Sequence, residues 1–157
     1  MNYRGAFVGQ EGSGKTTLME RLVRPLHEKG FRIRFLLLKR GVRKFPAKVM
    51  ARLAASLRKD EIIFLDGAEQ MGWLAWRRFR KLSQKAGGLV ISSHRHGLLP
   101  TIMECHTSPE LLKEIAAELA GYDIITDARA EKIYNDNRGN IREALLTLYD
   151  MVAEKEV

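Results

Sequence analysis

The sequence predicts a three-layer α/β/α fold: a parallel sheet of about five strands covered by helices, with a short C-terminal helical segment. Three observations lead there. Short apolar runs suited to buried strands alternate with amphipathic stretches at helical spacing, and that alternation produces parallel sheets covered on both faces. Residues 9–16 read Gly9-Gln10-Glu11-Gly12-Ser13-Gly14-Lys15-Thr16, a complete G-x-x-x-x-G-K-[ST] loop placed between the first strand and the first helix. Glu61 to Asp66 is an apolar run that ends in a carboxylate, as strand ends at a phosphate site do.

The elements follow in order. Tyr3 to Val8 is a short apolar strand, and Thr17 to Glu28 a helix with Leu18, Leu22 and Leu26 on one face. Arg32 to Lys39 alternates and then turns wholly apolar at Leu36-Leu37-Leu38, which predicts a strand first half-exposed and then buried. Gly41 to Phe45 is a basic turn, and Pro46 suits the first turn of a helix reaching about Lys59. After the strand ending at Asp66, Glu69 to Ala86 reads as one helix with Met71, Leu74, Ala75, Phe79 and Leu82 on its apolar face, stopped by Gly87-Gly88. Leu89 to His94 and Thr101 to His106 are the remaining strands. Ser108-Pro109-Glu110 is a helix start, and Gly121 ends that helix. From Ile124 to Val157 the pattern is helical, interrupted at Asn137 to Asn140. The expected organisation is a phosphate-binding core over residues 1–106 and a helical segment over 107–157 within the same compact domain.

The glycine-rich loop is the Walker A motif. Gly9, Gly12 and Gly14 let the backbone curl its N–H groups, those of Ser13 and Thr17 included, onto a phosphate chain. Lys15 supplies charge for the β- and γ-phosphates, and Thr16 a hydroxyl for Mg²⁺. Asp66 fits a Walker B carboxylate that holds Mg²⁺ beside Thr16. Glu69 could polarise an attacking water or simply complement a helix N-terminus. Ser92, Ser93 and His94 end a strand where a polar group can touch the γ-phosphate or orient the water, with Ser93 or His94 expected to report the γ-phosphate; the plainer reading is satisfied strand-end groups. Arg142 stands in the first turn of the last helix, where a cation is disfavoured unless it faces an anion; the plainer reading pairs it with Asp136 or Glu143.

Bulk properties set limits. The chain has 157 residues, 45 % of them hydrophobic, and no apolar run approaches the length needed to cross a bilayer. With a strand expected from Tyr3, no leader is expected, and the single Cys105 permits no internal disulfide; a cytoplasmic protein with Cys105 as a small buried thiol is expected. Residues 1–100 carry a charge balance of +14 and residues 101–157 one of −6. That asymmetry suits a nucleic-acid partner, a partner protein or copy, or a solvated basic face. Trp73 and Trp76 fit core or partner packing equally well.

Taken in order, Gly9 to Thr16, Ile62 to Asp66, Leu89 to His94 and Gly139 to Leu145 make the chain resemble a P-loop NTPase of the additional-strand class, similar to a minimal AAA+ or STAND-like ATPase. The resemblance implies ATP and Mg²⁺ as cofactors and hydrolysis of the β–γ bond. It implies a sensor arginine at Arg142 and an assembly in which a neighbour supplies an arginine, with Arg95, Arg77 and Arg78 as candidates. It also implies that the strand ending at His94 separates the Walker A strand from that of Asp66. The chain departs from the family at Gly67, where a catalytic Glu is usual, which leaves Glu69 as the base or hydrolysis slow. Residues 107–157 are short for a full lid. Two other readings stand beside this one: a small-molecule or nucleotide kinase, and a nucleotide-dependent nucleic-acid-binding module resting on the basic residues 1–100.

Overall fold

The computed structural model describes residues 3–153. The first two residues, and positions 154–157 of the expected C-terminal helix, lie outside the described residues. By its contacts the chain forms two units. One comprises the residues up to Gly9 together with Lys15–Glu104; the other comprises Gln10–Gly14 together with the residues from Cys105 onward.

The first unit holds a five-stranded parallel sheet and its flanking helices. In chain order it contains β1 (Tyr3–Val8), α1 (Lys15–Glu28), β2 (Arg32–Leu37), α2 (Ala47–Ser56), β3 (Glu61–Asp66), α3 (Trp73–Leu82), β4 (Gly88–Ser93) and β5 (Thr101–Glu104). The sheet order is β2-β3-β4-β1-β5, so β4 stands between β1 and β3, the order that the resemblance implies. Ala6, Val8, Ile63, Leu65, Leu89 and Ile91 form one core with Leu53 of α2 and Trp76 and Phe79 of α3. The alternate residues Phe7, Ile62 and Phe64 are equally buried, so both faces of the central strands are covered.

Three expectations are corrected here. β2 is an edge strand, so its second half is not wholly buried: Leu37 is 58 % exposed, Leu36 packs against the core only in part, and Leu38, past the strand end, is buried in it. Pro46 caps α2 from outside, with φ −55° and ψ 145°, and does not open its first turn. The stretch from Glu69 to Ala86 is not one helix. A 3₁₀ turn at Ala68–Gln70 precedes α3, and another at Ser83–Lys85 follows it. The break lies at Gly72, whose extended backbone donates its N–H to the Arg43 carbonyl at 3.0 Å and withholds it from the helix. The resulting shift in phase buries Trp76 and leaves Leu74 60 % exposed.

The second unit contains α4 (Pro109–Ala120), α5 (Asp127–Asp136) and α6 (Ile141–Ala153). Ser108 caps α4 by accepting the Leu111 N–H at 3.2 Å, and Gly121 stops it at φ +79°. Leu112, Ala116, Ala130, Ile133, Ala144 and Leu148 pack together from all three helices. Lys113 of α4 meets Asp127 of α5 at 2.7 Å. Cys105 is half-buried, not enclosed. Among the described residues no helix is long and apolar enough to cross a membrane.

Candidate functional site

Parallel strands carry their polar ends to one edge of a sheet, and here that edge gathers Gly9, Asp66, Ser92 and Ser93. The start of α1 adds Lys15 and Thr16. The Lys15 ammonium is buried and donates to the Gly9 carbonyl at 2.7 Å. The Thr16 hydroxyl donates to Asp66 Oδ2 at 2.7 Å. The Ser92 hydroxyl donates to Asp66 Oδ1 and accepts the Gly67 N–H at 2.9 Å. Both carboxylate oxygens of Asp66 are thus held by hydroxyls. Ser93, also fully buried, is used differently: its hydroxyl donates to the Arg95 carbonyl at 2.8 Å and accepts the Arg95 N–H at 3.0 Å, closing a local turn. The structure therefore places Ser92 against Asp66 and Ser93 in the turn that follows β4.

Gly67 sits at φ +81°, in the left-handed region, and starts the 3₁₀ turn that carries Glu69. A Cβ on Gly67 would come within 2.7 Å of the Leu38 carbonyl oxygen. The Glu69 side chain is only 10 % exposed; its Oε1 accepts the Gln70 amide at 3.2 Å and lies 3.9 Å from His94 Nε2. Its Oε2 is buried without a hydrogen-bond partner. A buried acceptor left unpaired is costly unless a water or ligand reaches it.

The loop residues Gln10–Gly14 are organised within the second unit. Gly12 and Gly14 adopt φ +75° and +81°, which curls the backbone as a phosphate cradle requires. Nothing lies within 4 Å of a Cβ built on Gly14, whereas one on Gly12 would fall 1.8 Å from Asn140 Oδ1. The Gln10 amide donates to Thr107 Oγ1 at 2.6 Å and to the Gly139 carbonyl at 2.8 Å. Thr107 Oγ1 lies 2.8 Å from the Tyr134 hydroxyl, which also donates to the Thr107 carbonyl at 2.9 Å. Asn140 caps α6 by accepting the Glu143 N–H at 3.2 Å. The helix that carries Arg142 therefore starts against Gly12. Arg142 itself is exposed and pairs with neither Asp136 nor Glu143. Thr17 is exposed on the first turn of α1.

Gln10, Thr107, Tyr134 and Asn140 were not among the residues singled out from the sequence. Their partners are up to 129 positions apart, and Gln10 occupies a variable position of the loop motif. Only Asn140, a capping residue before an apolar run, carried a local signal.

A family profile described as MobB, molybdopterin guanine dinucleotide synthesis protein B, matches residues 6–58, about a third of the chain. No curated protein matches. Among solved structures, a Pro-to-Gly variant of Thermotoga maritima RuvB aligns with a TM-score of 0.68 at 24 % identity, over 100 % of this chain and 58 % of that one. A Lys-to-Arg variant gives 0.64 at 23 % over 100 % and 57 %. The structure titled as the RuvB Holliday junction branch migration motor gives 0.62 at 23 % over 98 % and 56 %. This chain spans a little over half the length of those RuvB chains. The likeness shows the fold, that of the P-loop NTPases.

Proposed function

We propose that the protein binds a nucleoside triphosphate with Mg²⁺ on Gly9, Gly12, Ser13, Gly14, Lys15, Thr16 and Thr17, and hydrolyses its β–γ bond slowly, in a way that depends on a partner or on self-assembly. The observation that carries this reading is the pairing of Thr16 with Asp66 one residue beyond the buried Lys15. It brings together, across fifty residues of sequence, a hydroxyl and a carboxylate of the kind a triphosphate–metal site would use.

A hydroxyl and a carboxylate are hard oxygen donors, as Mg²⁺ prefers, and a nucleotide supplies further oxygens; the donor set fits the ion. Thr16 would ligate it directly and Asp66 through water, with Ser92 fixing the Asp66 carboxylate. Bound there, the metal would neutralise charge on the β- and γ-phosphates. Lys15 would leave the Gly9 carbonyl for the phosphate chain, and the curled backbone N–H groups would take the remaining oxygens. Glu69, nine-tenths buried with a free oxygen, would orient or deprotonate the attacking water. As the resemblance implies, Arg142 would act as a sensor arginine, and an arginine such as Arg95 from a neighbouring copy would complete the site.

ATP is favoured because the sequence has no Asn/Thr-Lys-x-Asp guanine-reading motif. A second reading, GTP, is favoured by the MobB match. Thermal unfolding with each nucleotide and Mg²⁺ tests both. A hundredfold excess over Kd stabilises by about 2.7 kcal/mol. Lys15→Ala is expected to abolish that shift for the preferred nucleotide; an unchanged shift refutes the site.

A further inference from the structure

A second feature of the first unit lies away from the phosphate loop. The loop after β2, the start of α2 and the start of α3 line a half-open cavity of about 480 Å³ walled by Phe45, Met50, Met71 and Ala75, with Lys44 and Arg78 also in its wall. Such a volume lies within the range of small-ligand sites. Beside it, Arg43 accepts the Gly72 N–H through its carbonyl at 3.0 Å, and its Nε lies 4.0 Å from a Cβ built on Gly72. Trp73, the next residue, is 69 % exposed, with the Arg77 guanidinium over its ring at 5.8 Å.

Charge on this face is one-sided. The sequence has no acidic residue between Glu28 and Asp60, or between Glu69 and Glu104, and these two acid-free stretches meet here. Among the described residues, Arg43, Lys44, Arg77 and Arg78 make no side-chain hydrogen bond or ion pair. Four uncompensated cations around an apolar cavity and an exposed indole form an uncommon surface. Cationic side chains set beside an exposed indole match a polyanion with stackable faces.

We propose that this face docks single-stranded nucleic acid: Trp73 stacks one base, the cavity receives another, and Arg43, Lys44, Arg77 and Arg78 take the intervening phosphates. The chemistry selects a strand over a duplex, because stacking on an indole and entry into a cavity both need bases with free faces. It selects a strand over a lone nucleotide, because Arg43, Trp73 and Arg77 do not line the cavity that one nucleotide would fill.

The test is fluorescence anisotropy of a labelled single strand of about 15 nucleotides on the full chain, between about 50 and 200 mM salt. Binding should weaken with salt with a log–log slope of about −3, as four phosphate contacts to a single strand imply. Trp73→Ala should weaken binding about fivefold to a hundredfold. Arg77→Ala with Arg78→Ala should make the slope shallower by about 1.4. A duplex of the same sequence should bind more weakly. All three side chains are exposed, and circular dichroism checks that the variants fold. Absence of binding at the lowest salt overturns the proposal, and so does binding that none of these variants alters. If a mononucleotide competes fully and Trp73→Ala has no effect, the cavity is a small-anion site and the strand reading is wrong. If the variants instead abolish a salt-sensitive self-association, the face belongs to a second copy and the proposal is likewise wrong.

Discussion

Ser92 and Ser93 are neighbours in sequence, equally buried, and differently employed. Ser92 bonds Asp66 and the Gly67 N–H, whereas Ser93 closes the turn at Arg95. Ser92→Ala is therefore expected to lower Mg²⁺ affinity in the presence of nucleotide about tenfold or more, as loss of a ligand's orienting partner does. Ser93→Ala should leave that affinity alone. A Mg²⁺ titration of nucleotide-induced stabilisation separates the two. Glu69→Gln keeps shape and removes charge; if Glu69 is the base, steady-state hydrolysis falls about a hundredfold or more while nucleotide affinity holds. An unchanged rate excludes it. The meeting of Lys15, Thr16 and Asp66 at one sheet edge was legible because loop and strand motifs fix side-chain positions by spacing. The choice between Ser92 and Ser93 was not, because strand alternation does not say which of two terminal hydroxyls faces the neighbouring strand's carboxylate. The Gln10–Thr107–Tyr134 cluster was not legible either, since a hydrogen bond across such sequence distance leaves no local pattern.

Elements were legible where their ends carry their own chemistry. Ser108, Pro109 and Gly121 bound α4 as read, because capping and a left-handed stop are local. Ser108→Ala is expected to cost about 1 kcal/mol in denaturant unfolding. The same cap has a pH signature. The Ser108 hydrogen bond, followed by the backbone bond, holds the Glu110 carboxyl below its ordinary range. A depressed folded-state pKa adds stability above the unfolded value, and that contribution fades as pH falls through the folded one. The Ser108→Ala penalty should therefore shrink in acid. Where an element's fate depends on neighbours, the sequence misled. Leu36-Leu37-Leu38 looks buried in isolation, but an edge position exposes Leu37. Gly72 looks tolerable inside a helix until the Arg43 carbonyl claims its N–H.

At the scale of the molecule, the alternation of strands and helices was enough to predict a parallel sheet, and its order puts β4 between β1 and β3. Side-chain pattern says nothing about which two strands flank a third; that expectation came from the resemblance. The charge split between residues 1–100 and 101–157 bears on assembly. If copies join head to tail, specific hydrolytic activity should rise with protein concentration, light scattering should show growth with nucleotide, and Arg95→Ala should remove the rise. A monomer with constant specific activity excludes that assembly. The left-handed Gly67, pressed against the Leu38 carbonyl, also constrains how this protein can change over generations. A glutamate introduced there by mutation would meet both a backbone penalty and a collision with the end of the adjacent strand, with an expected stability loss of at least about 2 kcal/mol. An acidic side chain directly after Asp66 therefore needs a compensating shift of the backbone at Leu38. Under the proposed function, that constraint puts the load on Glu69, in the next turn, or on a residue from another chain.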